Sequence, residues 1–462
     1  MKKQLNLRDA IMIVMGSMIG SGIFIVSSDM MRQLGSGYWL IAVWLITTIA
    51  TIAAAICYGE LSSMYPKAGG QYTYLTEIFG KLTGFLYGWS LFAVIQTGTI
   101  AAVAVAFGKF AAYVIPGLSD APPLYQNGTF MITWMQIIAI TVIILLTYIN
   151  TRGVRSGKLV QLVFTSSKII ALVLLIVGGL LLIKNNFFLE NLSYGWDSFQ
   201  NIDGSGWKGI SGGVLMGGVA AAMVGSIFSS VAWENVTFVA GEIENPKRNV
   251  VVSMVVGTSL VMLLYLLCNY VYLSALSREE IAFASNDRVA IAAAEKLLGH
   301  TGTIIMAVLV MLSTFGCVNG IVLSGARVFQ SMAKDGLFLK QAIPNNKHDV
   351  PGRSLWFQGI WASLLCLSGQ YGNLLDMVSF VIVIFYMVTV VGVIYQRFKH
   401  PELERPYKTF LYPIPAILYL VIGAVFCGLL IVFKPQYTWP GFILILLGLP
   451  IYYLALKKTG RT

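Results

Sequence analysis

Three places in this chain put polar chemistry where apolar packing is expected. The first is Gly16-Ser17-Met18-Ile19-Gly20-Ser21-Gly22-Ile23-Phe24, which sets three glycines and two serines within seven residues of the first apolar segment. Glycine loses the most backbone entropy on ordering, so this is poor material for a helix interior. In hydrocarbon an unwound backbone survives only where protein buries it or where it lines a wet cavity. A helix broken here offers free N–H groups at one half-end and free carbonyls at the other, matched to a carboxylate and an ammonium respectively. The amides of Ile19, Gly20, Ser21 and Gly22 and the Ser21 hydroxyl are candidate donors; the Met18 carbonyl is a candidate acceptor. Gly16-xxx-Gly20 is equally a small-xxx-small helix-packing motif, and the stretch alone does not separate the two readings.

The other two places are charges. Lys168 lies about ten residues inside the fifth apolar segment, too deep for easy escape to the interface. An ammonium there is either part of a functional cycle or a structural cation capping carbonyls of a neighbouring helix. Leu312-Ser313-Thr314-Phe315-Gly316, with its two hydroxyls, supplies possible partners. Glu234 sits in Phe228-Ser229-Ser230-Val231-Ala232-Trp233-Glu234. Its carboxylate suits a half-helix N-terminus, and it is open to a structural, proton-carrying or cation-binding role. Phe228 and Trp233 flank the segment and are packing residues or an aromatic lid.

These residues belong to a membrane chain. Of 462 residues, 57% are hydrophobic and 11% charged, and mean hydropathy is +0.77, far from the quarter charged of soluble domains. About twelve apolar runs of bilayer length follow one another, near 9–33, 38–62, 82–115, 130–149, 159–183, 209–240, 250–275, 301–333, 355–369, 372–396, 410–433 and 438–456. The first is not a cleavable signal, since no small-residue cleavage site follows it. Lys2, Lys3, Arg8, Lys67, Arg155, Lys347 and most other basic residues fall on one side. Arg32, Lys184, Lys208, Arg278, Arg288, Lys296 and Lys434 fall on the other. The bias predicts cytoplasmic termini in a multi-pass cell membrane protein, and it explains the net charge of +11 without nucleic acid. Residues 63–81, rich in tyrosine, predict a short helix on the cytoplasmic surface, and 334–353 a second polar element there.

Gly16-Ser17-Met18-Ile19-Gly20-Ser21 recurs loosely as Gly225-Ser226-Ile227-Phe228-Ser229-Ser230, five spans later. Because five is odd, the second copy crosses in the opposite sense. Residues 1–183 (spans 1–5) and 184–397 (spans 6–10) then form an inverted pair, with 398–462 as peripheral spans 11 and 12. Interrupted spans at equivalent positions mark a midplane transport site. Carbonyls of Phe228 and Val231, beside Ser229, would complete it; Gln96 and Thr99 of span 3 would read the substrate side chain.

Gly20-Ser21-Gly22-Ile23-Phe24, Gly241-Glu242-Ile243-Glu244-Asn245-Pro246-Lys247-Arg248-Asn249 and Tyr65-Pro66-Lys67-Ala68-Gly69-Gly70 together resemble the amino acid–polyamine–organocation transporter superfamily over essentially the whole chain. Phe164-Thr165-x-x-Lys168 is similar to the L-type amino-acid transporter group. That resemblance implies an all-α fold of broken helices in a five-plus-five inverted repeat, and sodium-independent exchange of amino acids by alternating access. It implies Ser21 and Gly22 on the carboxylate and the Met18, Phe228 and Val231 carbonyls on the amine. Phe228 would be the outer gate, and Lys168 would meet Ser313 where related transporters bind sodium. Spans 1 and 6 would move against spans 3, 4, 8 and 9. L-type members usually carry glycines where this chain has Ser229, Ser230, Val231 and Ala232. Glu234 instead resembles the acidic residue of arginine/agmatine antiporters and cationic amino-acid transporters.

A neutral amino acid is the favoured substrate, with a proton-coupled or cationic substrate using Glu234 as the alternative. An enzyme would need Glu234 and Lys168 within hydrogen-bond reach as acid and base, and a channel would need rings of like residues. The scattered histidines and the cysteines inside apolar segments suggest no metal or cofactor. No obligate protein partner is implied.

Overall fold

The Asn6 side chain accepts from the Asp9 amide, and the Asp9 carboxylate accepts from the Asn6 amide, a capping box that starts the first helix. That helix, Leu7–Met18, stops where the glycines begin. Gly22–Phe24 make one 3-10 turn and Val26–Leu34 complete the crossing, so span 1 is broken as its sequence predicts. Span 6 breaks too. Helix Gly212–Ser230 ends in an extended Val231 and in Ala232 at φ 68°, after which Asn235–Phe238 forms a short second helix.

This computed structural model describes residues 5–459 except 68, 119–120, 128–129, 153–156, 184–185, 347, 349 and 369–370. Ala68, Arg155, Lys184, Lys347 and the terminal Lys2 and Lys3 lie outside the described residues. Among those described, nine helices are long and apolar enough to cross a membrane. The other expected crossings are the broken span 1, the short span 9 (Gly352–Ser368) and the proline-interrupted span 12 (Pro435–Thr459). The chain is an all-α polytopic membrane protein with two small hairpins, Tyr125–Asn127 with Phe130–Ile132 and Ser198–Gln200 with Lys208–Ile210, in its connections.

The helices sort into packed groups. Spans 3 (Lys81–Val114), 4 (Trp134–Thr151), 8 (the latter part of Val289–Lys334) and 9 pack on one another. Span 7 (Pro246–Ala275) packs on span 1 and span 2 (Gly37–Met64), and span 6 packs on spans 1 and 2. Span 5 (Gly157–Leu182) lies between span 8 and spans 1 and 7. The bundle has two ends: a terminal face holding Leu5 and a far face holding Gly35.

On the terminal face Leu5 pairs with Ile243 through backbone bonds to Glu242 and Glu244, and Arg327 of span 8 bonds Glu242 at 2.7 Å. The expected surface helix exists as Gln71–Phe79, but it is inserted rather than superficial. Gln71 donates to the Phe385 carbonyl and Thr389 of span 10 (Tyr371–Lys399), and Tyr72 to Asp335. Tyr74 is fully buried. These tyrosines serve packing between elements rather than the lipid interface.

A second tie holds the chain after span 10. Glu60, buried at the end of span 2, accepts from Arg397 at 2.9 and 2.6 Å and from the Thr409 amide at 2.8 Å, with Arg405 at 3.4 Å. Removing one member of such a buried set strands the rest. Glu60→Ala should therefore cost about 3–5 kcal/mol, read as a lowered midpoint of thermal unfolding in detergent; an unchanged midpoint would show that the cluster contributes nothing.

Candidate functional site

A break in a membrane helix leaves backbone groups that need partners, and span 1 sorts them by type. Its carbonyls are claimed by side chains from spans 5, 7 and 8. Lys168 donates to the Gly16 carbonyl at 2.5 Å and Tyr265 to Met18 at 3.0 Å. Tyr272 donates to Ile23 at 3.1 Å, and the Cys317 thiol lies 3.8 Å from the Ser17 carbonyl. The amides are treated differently. Ile19 donates to Met15 within the helix, so it is not the free donor expected. Among the described residues, the amides of Gly20, Ser21 and Gly22 find no acceptor.

Span 6 leaves the complementary set. The Ser229 hydroxyl donates to Gly225 and the Ser230 hydroxyl to Ile227, within the helix. The carbonyls of Phe228 and Val231 accept no hydrogen bond among the described residues. The two breaks touch. A Cβ on Gly22 would collide with Ser229 Oγ, and one on Gly225 would lie 2.8 Å from Val26 Cβ. Only glycine permits both approaches.

Between the breaks is a small pocket of about 20 Å³, roughly the room of one water. Met18, Gly20, Ser21, Gly22, Thr99, Phe228, Ser229 and Val231, all candidates from the sequence, line it. Ser17, Val103, Ala232, Cys317 and Ile321 line it as well, with no motif to mark them in the sequence. Among the described residues, no lining side chain carries a charge.

Other expected members lie elsewhere. Gln96 does not reach the pocket: its amide donates to the Ile321 carbonyl at 2.5 Å and lies against Gly325 and Gln358. Trp233 is no lid on this pocket; it packs edge-on to Tyr58 at 4.8 Å and beside Tyr386 at 5.3 Å. Glu234 accepts from the Tyr386 hydroxyl at 2.6 Å and does not line the pocket. Ser313 does not hold Lys168, because its buried hydroxyl has no partner among the described residues. Thr314 donates back to Val310 and Met311 within its own helix. Lys168 and Glu234 thus have separate partners, and the acid–base pair an enzyme would need is not assembled.

Above the pocket, toward the far face, lies an open vestibule of about 720 Å³. Asp287 ties its wall, 2.8 Å from Arg32 and 3.0 Å from Lys109. Burial pushes the Asp287 carboxyl up, but those two cations outweigh it and hold the group below its ordinary value. Tyr371 of the vestibule lining touches two pocket residues: its hydroxyl is 3.1 Å from Ser21 Oγ, and its ring lies edge-on to Phe228 at 6.3 Å.

Residues 5–452 match the amino acid permease family model. The large neutral amino acids transporter small subunit 2 of Mus musculus is 33% identical over 98% of this chain and 81% of its own length. The Asc-type amino acid transporter 1 of the same species is 31% identical with the same coverage. Its b(0,+)-type amino acid transporter 1 is 26% identical over 98% of this chain and 88% of its own. The words "small subunit" name the first of these as part of a larger assembly, so the expectation of no obligate protein partner is unsupported.

The contact between the breaks is directly testable. Gly22→Ala should destabilise the protein by about 1–3 kcal/mol through overpacking. Adding Ser229→Gly should recover part of the loss in a thermal-unfolding assay. No recovery would mean that Gly22 matters for something other than Ser229.

Proposed function

The chain belongs to the amino acid permease family, and we propose that it exchanges neutral amino acids across the membrane by alternating access. One observation carries this reading: Gly20–Gly22, whose amides have no acceptor, and Phe228 and Val231, whose carbonyls have no donor among the described residues, line the same pocket. The first set fits a carboxylate and the second an ammonium, the two groups every α-amino acid presents. The absence of any charged side chain from the pocket lining favours a neutral substrate. Glu234, turned toward Tyr386, gives little support to the cationic alternative. The names of the relatives, which include a large neutral amino acids transporter, agree. The family transports; it does no covalent chemistry.

In this reading Lys168 replaces a bound cation. Its ammonium fixes the terminal-side half of span 1 through Gly16, the work a coupling ion would otherwise do, so transport does not need sodium. Spans 1 and 6 move against the packed group of spans 3, 4, 8 and 9. Residues 1–183 and 184–397 act as the inverted repeats, with 398–462 outside them, and the terminal face is cytoplasmic in the cell membrane. All five cysteines are buried, so a second subunit would associate without a disulfide.

Proteoliposomes loaded with an unlabelled neutral amino acid should take up labelled substrate several-fold faster than empty ones, equally well in sodium and in choline. Equal uptake by loaded and empty vesicles would overturn exchange. Lys168→Ala should lower that uptake at least about tenfold while size-exclusion behaviour in detergent is retained. Loss of the folded peak itself would make Lys168 a structural cation only.

A further inference from the structure

The midplane pocket is too small for an amino acid, so something must move to admit one. Tyr371 is the side chain through which the vestibule meets the pocket. It lines the vestibule, while both residues it touches below, Ser21 and Phe228, line the pocket. It is the first residue of the span 10 helix. From above, the Lys109 ammonium sits 5.3 Å from its ring centroid, within the range of cation–π attraction. Lys109 is in turn fixed to Asp287, and Asp287 to Arg32 at the outer end of span 1. The ring is therefore held between the substrate site and an ionic cluster that joins span 1, span 3 and the connection before span 8.

We propose that Tyr371 is the outer lid of the midplane site, its hydroxyl occupying on Ser21 the place that a substrate carboxylate takes when the lid lifts. The hydroxyl reaches Ser21 from the vestibule side, and Ser21 lies between Gly20 and Gly22, whose amides have no acceptor among the described residues. A carboxylate can replace it on Ser21 and also satisfy those amides, which a phenol cannot do alone. Exchanging one bond for several makes lid opening dependent on substrate. Lys109, directly over the ring, attracts the incoming carboxylate to that spot. The carboxylate part of this inference rests on the amino-acid reading; the lid does not.

The native thiol of Cys317, in the pocket lining, reports on the lid. Sealed vesicles with the far face outward are treated with a membrane-impermeant methanethiosulfonate, and modification of each cysteine is followed by peptide mass spectrometry. Tyr371→Phe keeps the ring and removes the latch, so Cys317 should react about two- to tenfold faster, the worth of one hydrogen bond. Tyr371→Ala should react faster still, and Tyr113→Phe, which removes a hydroxyl bonded to Thr303 instead, should match the wild type. Equal rates in the wild type and both Tyr371 variants would overturn the lid, whatever the carrier transports. In Tyr371→Phe the KM for a neutral amino acid on the far face should fall about two- to tenfold as the competing hydroxyl is lost. Faster labelling with an unchanged KM would overturn the carboxylate half and leave the lid.

Discussion

A polar backbone group exposed to hydrocarbon costs several kcal/mol, and both breaks in this protein are organised by that penalty. Breaking span 1 exposes carbonyls on one side and amides on the other. Lys168, Tyr265 and Tyr272 come from three positions in two spans to satisfy the carbonyls. Among the described residues, the amides at Gly20–Gly22 receive no such partner. Satisfying one set and leaving the other defines a place that favours an anion without any basic side chain pointing into it. Span 6 provides the opposite polarity at Phe228 and Val231. On the proposed reading the site is a property of backbone geometry, fitted to what all amino acids share.

The surrounding packing keeps that geometry in place. Gly22 and Gly225 let the two broken helices approach to distances a methyl group would forbid. Ser229 and Ser230 turn their hydroxyls back into their own helix, so the end of that helix stays uncommitted toward the pocket. On the terminal face, Leu5 and Arg327 both bind the segment that follows span 6, and the inserted helix Gln71–Phe79 packs beneath its short second half, with Gly70 against Thr237. The far face includes the ionic cluster of Asp287 with Arg32 and Lys109. Its stabilising bonds are the kind that a polar solute can exchange.

Much of this was legible in the sequence. The breaks announce themselves as small residues in an apolar run, and the depth of Lys168 comes from counting residues along a helix. The direction a side chain faces was not legible where a local irregularity resets the helix. Span 3 contains a π-helical turn, Leu91–Ile95, directly before Gln96. The wider turn changes the facing of the residues after it, and nothing in Leu-Phe-Ala-Val-Ile signals it. Thr99 still reaches the pocket and Gln96 does not. Trp233 and Glu234 come after the left-handed Ala232, a conformation that a non-glycine residue rarely adopts and that sequence does not advertise. Their side chains consequently pack against Tyr58 and Tyr386. Tyr371 gave no signal at all, being one aromatic residue at the start of one helix, and its importance exists only through Ser21, 350 positions away.

The bond between Lys168 and Gly16 also has a thermodynamic meaning. A cation that belongs to the chain never dissociates and never crosses, so its charge does no work against the membrane potential and draws none from a salt gradient. On the proposed reading, this lysine adds no ion gradient to the driving force. On the proposed exchange, uphill movement of one amino acid is driven by another running down its own gradient through the same pocket.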